Sequence, residues 1–237
     1  MKNPDILDRL TYSRFSKFIP KFFEKSRQKN WLRTCRSLVG NWKTPLIIDV
    51  GAHIGQTAKQ LKSWFPKGSI ECFEPSPSSY IKLQVNTKSE PDINCHNLAL
   101  GKSSGFLELI ERDHSDMNSF LEVDSQGWGQ FLNKTSVEVI TLDQFFSEKE
   151  ISNVSILKLD TQGYDLEVLK GANSALEEKR IELIYTEVNF APIYKGQAEF
   201  DEIYKFLREK SYRLIDFYEI YRHSIYAGWG NALFRLE

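Results

Sequence analysis

From residue 44 onward, short apolar runs alternate with stretches in which apolar residues return every three or four positions, the pattern of a mostly parallel sheet covered by helices. "PLIIDV" (45–50) predicts the first strand. "QTAKQLKSWF" (56–65), with Ala58, Leu61 and Trp64 in register, predicts a helix closed by Pro66 and Gly68. Strand "SIECFEP" (69–75), helix "SPSSYIKLQVNTK" (76–88) and a third strand "INCHNLALG" (93–101) follow. "GFLELIER" (105–112) and "VEVITLDQFF" (137–146) predict extra strands flanking a polar segment, 111–135, expected to lie as a loop over the site. "VSILKLD" (154–160), "TQGYDLEVLKGANSALEEK" (161–179) and "IELIYTEVN" (181–189) predict strand, helix and strand. Helix "AEFDEIYKFLREK" (198–210) then leads to strand "YRLIDFYEI" (212–220), a turn-rich loop and a last strand "NALFRL" (231–236). Two successive strands with no helix between them pair antiparallel, because a parallel crossover needs about a dozen residues or more. The expected fold is therefore α/β: a Rossmann-like, doubly wound, mostly parallel sheet ending in a C-terminal antiparallel β-hairpin.

The 237 residues, 41% of them hydrophobic, suffice for one domain (44–237) with a sizeable core and an appendage. That appendage, 1–43, carries eleven Lys/Arg against three Asp/Glu, a charge of +8 that leaves −9 on the rest. It is expected to be a basic helical extension, docked on the acidic body or touching an anionic surface such as a membrane, polyphosphate or acidic glycan. Cys35, Cys72 and Cys95 make neither a metal knuckle nor an even disulfide framework, which favours structural burial in a reducing compartment. "MKNPDILDRLTYSRF" lacks an uninterrupted apolar core, and no window reaches the roughly 20 apolar residues of a membrane span. The expectation is a cytoplasmic protein, with a homodimer left open.

The candidate site lies where strands end. In open α/β sheets the ligand sits at their carboxyl ends beside the first strand, which places "DVGAHIGQT" (49–57) there. A dinucleotide fingerprint needs a middle glycine for close approach to a pyrophosphate, and His53 stands in that region between Gly51 and Gly55. Asp49 would repel a pyrophosphate and favour a cation. S-adenosylmethionine, with an ammonium, a sulfonium and no phosphate, suits this loop, and Glu74 at the second strand's end suits the ribose hydroxyls. NAD is the runner-up. The cofactor-facing set is Asp49, Gly51, Ala52, His53, Gly55, Gln56 and Thr57, then Glu74, Pro75 and Ser76, then Asn97 and Ala99.

"IIDVGAHIGQTA", "CFEPSPSSYIKLQVN", "NLALG", "ITLDQFF", "ILKLDTQGYDLEVLKGA" and "TEVNFAPIYKGQAEFDEIYKFL" resemble, in this order, the blocks of FkbM-type S-adenosylmethionine-dependent methyltransferases over residues 45 to 236. The resemblance implies a class I methyltransferase fold and O-methylation of a sugar or secondary-metabolite hydroxyl. Such a hydroxyl needs a base or a metal to take its proton. Asp160 and Glu187 end neighbouring strands, so they could share a base role or hold Mg²⁺; otherwise Asp160 caps the following helix through Thr161 and Gln162. His114 is the histidine candidate for a general base. His223, Tyr221, Tyr226 and Trp229 could line the acceptor pocket, with 111–130 and 218–230 forming a lid. The expected partner is a small-molecule or glycan acceptor rather than nucleic acid, since "LDTQGY" lacks the motifs that often accompany a flipped base. An RNA methyltransferase and a non-catalytic nucleotide-binding module stay open as alternatives.

Overall fold

The computed structural model describes residues 30–38, 42–223 and 225–237. The chain enters through helix α1 (Asn30–Leu38) and strand β1 (Leu46–Val50). Helix α2 (Gln56–Trp64), β2 (Ser69–Phe73), α3 (Pro77–Thr87) and β3 (Ile93–His96) come next. They are followed by β4 (Ala99–Leu100), β5 (Gly105–Arg112), β6 (Phe131–Ile140) and α4 (Leu142–Glu148). The second half is β7 (Val154–Leu159), α5 (Asp165–Lys170), α6 (Asn173–Glu177), β8 (Ile181–Asn189), α7 (Phe200–Glu209), β9 (Tyr212–His223) and β10 (Tyr226–Leu236).

Seven strands form one sheet in the order β3-β2-β1-β7-β8-β10-β9, parallel up to β8, with β10 antiparallel to both neighbours. The chain winds outward from β1 to β3 and resumes on the other side of β1 at β7, so the switch point opens between β1 and β7. β1 is paired along both edges and covered on both faces, which is why "LIIDV" is a nearly unbroken apolar run. Its alternate residues feed two cores. Ile48 and Val50 meet the helices α4 to α7 through Phe145, Leu169, Leu176 and Leu207, while Ile47 meets Ala58, Leu61 and Leu83 of α2 and α3. Helix α1, which precedes residue 44, contributes buried Trp31, Leu32 and Cys35 to this second core, and Trp31 stacks on Tyr185 at 4.1 Å. The rest of the basic extension up to residue 41, that is 1–29 and 39–41, lies outside the described residues. Cys35 and Cys72 are buried and Cys95 partly so, all three as free thiols.

Several predicted boundaries are corrected. "INCHNLALG" is two strands: the Asn97 amide donates to the carbonyls of Glu74 (2.9 Å) and Pro75 (3.0 Å), and β4 then joins a separate three-stranded sheet, β4-β6-β5. "VEVITLDQFF" ceases to be strand at Ile140, because the Thr141 side chain accepts the Gln144 backbone N–H (2.9 Å) and starts α4. The single helix expected over 161–179 is α5 and α6, broken around Gly171, with Asp143 accepting the Ser174 and Ala175 N–H groups at the start of α6. The turn-rich loop predicted between the last two strands is paired backbone: Gly228 and Gly230 lie within β10, and the ladder absorbs them through register shifts. No helix among the described residues is long and apolar enough to cross a membrane.

Candidate active site

Two adjacent strand ends, β1 and β7, set the geometry. Gly51 turns the chain out of β1 with φ 72°, and a Cβ there would stand 2.0 Å from the Asp160 carbonyl oxygen. Only glycine fits both the left-handed backbone and that approach. Two residues earlier, Asp49 pairs across the sheet with Cys72 on one side and Lys158 on the other. Its carboxylate is fully buried, with Oδ1 2.9 Å from Lys158 Nζ. Lys158 also donates to the Gly51 (3.2 Å) and Val50 (3.4 Å) carbonyls and lies 3.7 Å from Asp160. Burial alone would lower its pKa; the Asp49 and Asp160 carboxylates outweigh it and hold the ammonium charged, above the usual lysine range.

The loop after Gly51 folds onto Glu74. Gly55 takes φ 90° as the N-cap of α2, and His53 also has a positive φ, 50°. This aims the His53 backbone N–H at Glu74 Oε2 (2.8 Å), while the Ser76 N–H reaches Oε1 (2.9 Å). The His53 ring nitrogen Nε2 is 2.8 Å from Ser115 Oγ, and burial lowers its pKa. Burial likewise pushes the Glu74 carboxyl up to about 7, against the pull of the two N–H donors.

These groups border a cavity of about 260 Å³ at the switch point. Its apolar wall comprises Phe73, Leu98, Ala99, Leu100, Leu109 and Phe120, and its polar wall includes Glu74, Asp116, Asn118, Lys158, Asp160 and Gln162. At the rim, the Gln162 amide Nε2 donates to Asp160 Oδ1 (2.6 Å) and lies 3.5 Å from Glu187 Oε2, while its Oε1 accepts from the Tyr194 hydroxyl (2.7 Å). Burial, reinforced by Asp160, holds the Glu187 carboxyl well above the usual range. The alternative role for Asp160, capping the next helix, is not met, since α5 has no side-chain cap; Asp165 in its first turn fastens the preceding turn, its Oδ2 accepting from both the Thr161 N–H (3.1 Å) and hydroxyl (2.7 Å). Asp160, 41% exposed in its side chain, is left facing the cavity.

Of the predicted cofactor set, Gly51, Ala52, His53, Gln56, Thr57, Glu74, Pro75 and Ala99 line the cavity. Asp49, Ser76 and Asn97 do not: Asp49 neutralises Lys158, Ser76 holds Glu74 and donates to Glu111 Oε1 (2.7 Å), and Asn97 braces the β2 exit. Gly55 acts one step away as the cap of α2. His114 is exposed and lies off the cavity wall. Among the described residues no group of three or more His, Cys, Asp or Glu could hold a metal ion.

The loop expected over 111–135 is shorter, because 111–112 end β5 and 131–135 begin β6; residues 113–130 border the cavity and are fastened. Ser119 Oγ donates to the Gln162 carbonyl (2.7 Å), Asp124 N–H to Ile193 O (2.8 Å), and Lys195 N–H to Glu122 O (2.8 Å). Ser115, Asp116, Asn118, Ser119 and Phe120 belong to the cavity wall, so this segment shapes the cavity itself. Residues 218–230, expected as the lid's second part, are mostly β9 and β10. Sequence reasoning missed Lys158, Gln162 and Tyr194, and it gave the 115–120 segment a covering role but no place in the cavity wall. A lysine inside the apolar strand "SILKLD" was the legible signal, since a buried ammonium demands a buried partner.

A seven-stranded sheet of this order, with a cavity at its switch point, is that of the class I S-adenosylmethionine-dependent methyltransferases. The fold matches the METTL16 MTase domain with a TM-score of 0.51 at 12% identity, covering 89% of this chain and 67% of that one. The chain belongs to the FkbM methyltransferase family: the Methyltransferase FkbM domain model matches residues 49–214. It is 24% identical over 164 residues to the 2-O-methyltransferase NoeI of Sinorhizobium fredii, spanning 65% of this chain and 67% of that protein. It is 26% identical over 206 residues to Methyltransferase sdnD of Sordaria araneosa (75% and 76% covered), and 26% over 148 residues to the hexuronic acid methyltransferase AglP of Haloferax volcanii (62% and 58%).

Proposed function

We propose that the protein methylates a hydroxyl oxygen of a sugar, glycan or related metabolite, with Asp160 and Glu187 at the acceptor side of the cavity. The observation that carries this reading is the Asp160–Gln162–Glu187 cluster, two carboxylates sharing one amide at the rim of a cavity whose inner wall suits a nucleoside. In this reading Glu74 takes the ribose diol, the apolar wall the adenine, and Asp160 and Asp116 the positively charged end; all of these groups line the cavity. Among the described residues the one ammonium in the wall, Lys158, is already matched by Asp49, which favours S-adenosylmethionine over a pyrophosphate.

When bound, S-adenosylmethionine supplies a methyl group on a sulfonium that is already a good leaving group. What the chain must add is position, exclusion of water and a place for the acceptor's proton. Asp160 can accept that proton. Glu187, whose burial raises its pKa, is a stronger base than an ordinary carboxylate. Tyr194, whose hydroxyl burial keeps protonated, orients Gln162 and through it both carboxylates. The two carboxylates are bridged by an amide donor, and this reading uses them as bases without Mg²⁺. The names of NoeI and AglP, one for 2-O-methyl transfer and one for hexuronic acid methylation, support an acceptor of the sugar type.

The test is to incubate the purified protein and isotopically methyl-labelled S-adenosylmethionine with metabolite and glycan extracts, then identify labelled products by mass spectrometry. Label in a methyl ether of a hydroxylated compound is expected. Label only on nitrogen or carbon would overturn the reading.

A further inference from the structure

Beyond Glu187 the sheet carries an unexplained polar and aromatic surface. Across the β8–β10 ladder Asn231 stands opposite Glu187 and Trp229 opposite Asn189, so these four alternate residues share one face. Trp229 stacks with Tyr221 of β9 (4.9 Å, 14°) and is tilted against Trp128 of the covering loop (5.1 Å). The hairpin and the loop thus join in one aromatic surface, and Tyr221 and Trp128 stay 46% and 41% exposed. Asn189 is 3% exposed, yet its Oδ1 has no donor among the described residues.

Glu219 supplies a second, independent sign. It has φ 51°, which a glutamate rarely adopts, at a point where β9 gains one residue on β10. Alternation from Tyr218 would turn it to the opposite face; instead its Oε2 accepts from the Asn231 amide (3.2 Å), on the face that carries Tyr218 and Tyr221. Bulges of this kind re-aim a side chain next to a site, and their strain persists where function maintains it. The face is acidic: Asp160, Glu187 and Glu219 border it, Lys158 is matched by Asp49, and Arg222 is engaged with the Ile225 carbonyl at the hairpin tip (3.4 Å).

Resting on the function proposed above, we infer that this face is the acceptor subsite: a saccharide ring lies on Tyr221 and Trp128, donates hydroxyls to Glu219, Glu187 and Asn189, and is favoured when it carries no acidic group. Aromatic faces meet the C–H side of a pyranose, and carboxylate and amide oxygens accept its hydroxyls. An anionic ring would meet like charge, a repulsive device for specificity.

The experiment is a glycan array of neutral, amino and acidic saccharides, probed with the whole chain in the presence of S-adenosylhomocysteine. Neutral or amino saccharides should be retained. Tyr221→Ala and Trp128→Ala should each weaken retention by about tenfold, Tyr221→Phe should keep it, and all should bind S-adenosylhomocysteine like the wild type. Glu219→Gln should raise the signal on uronic acids relative to neutral rings. Retention chiefly of acidic saccharides, unchanged retention in both alanine variants, a Glu219→Gln protein no more tolerant of uronates, or no retained saccharide would each overturn the inference. Methyl transfer to a non-saccharide hydroxyl alongside an empty array would sink this subsite while leaving O-methylation standing.

Discussion

Replacing Lys158 by methionine probes the pair on which the β1–β7 junction is built. Asp49 is 0% exposed and Lys158 4%, and their charged atoms are 2.9 Å apart. At an effective dielectric of about 20 the attraction is about 6 kcal/mol, set against several kcal/mol of desolvation for each ion. The net value of the pair is therefore small, but removing one partner strands a buried carboxylate. The Gly51 and Val50 carbonyls lose a donor as well. Lys158→Met should cost about 3–5 kcal/mol, a large share of the roughly 5–15 kcal/mol available to a domain. Asp49→Asn combined with Lys158→Met buries no charge and should recover most of that loss, giving a coupling of about 2 kcal/mol or more in a double-mutant cycle.

Denaturant titration at two pH values is the assay. Burial raises the Asp49 pKa above the ordinary carboxylate value even beside Lys158, and losing the cation raises it further. The Lys158→Met deficit should then be smaller at pH 5 and grow toward pH 8. A Lys158→Met protein within about 1 kcal/mol of wild type, or a double variant as unstable as the sum of the two singles, would refute the ion-pair account.

Three further outcomes are expected. Gly51→Ala adds a Cβ 2.0 Å from the Asp160 carbonyl at φ 72°, so denaturation should show a loss of about 3 kcal/mol or more and calorimetry a loss of cofactor binding. Asp160→Asn should lower kcat about 100-fold in a labelled-methyl assay, with the KM for S-adenosylmethionine little changed. Burial holds the Glu74 carboxyl at about 7, so its contribution to ligand-free stability is full below the unfolded carboxylate pKa and is lost as pH rises through 7. Ribose hydroxyls favour the carboxylate, so cofactor affinity measured by calorimetry should rise from pH 6 to 8, and Glu74→Gln should flatten that profile.

The sheet was legible because buried parallel strands are written as apolar runs and the covering helices as three-and-four spacing; "LIIDV" and "SILKLD" could hardly be anything else. Glu74 and the Gly51 turn were legible because both stand at strand ends, where chemistry gathers in this architecture. Asp49 was misread for a physical reason: a carboxylate before a glycine loop says that a cation is near, but not whether the cation is a ligand or, as here, Lys158. His114 looked useful by type, yet its exposed position followed from how the loop docks. That docking depends on contacts such as Ser119 to Gln162, 43 residues apart, which no local pattern announces. The hairpin length was hidden because Gly228 and Gly230 read as turn residues while serving within a strand.

Backbone strain gives a way to separate positioning from stability. Six described non-glycine residues have positive φ: His53, Glu150, Gln162, Lys179, Ser211 and Glu219. Glu150, Lys179 and Ser211 directly follow the C-caps of α4, α6 and α7, where a left-handed residue commonly ends a helix. The other three lie in or beside the proposed site, and each costs roughly 1–3 kcal/mol that no helix end requires. Gln162 is the sharpest case, because its φ of 54° is what lets one amide serve Asp160, Glu187 and Tyr194 together. Gln162→Gly relieves the strain and loses those bonds, so stability should change by less than about 1 kcal/mol while turnover falls at least about tenfold. Thermal denaturation and steady-state kinetics on the same preparation decide it. A variant that keeps its turnover but loses about 2 kcal/mol or more of stability would make Gln162 a staple of the fold, and the Asp160–Glu187 pair would then need another explanation.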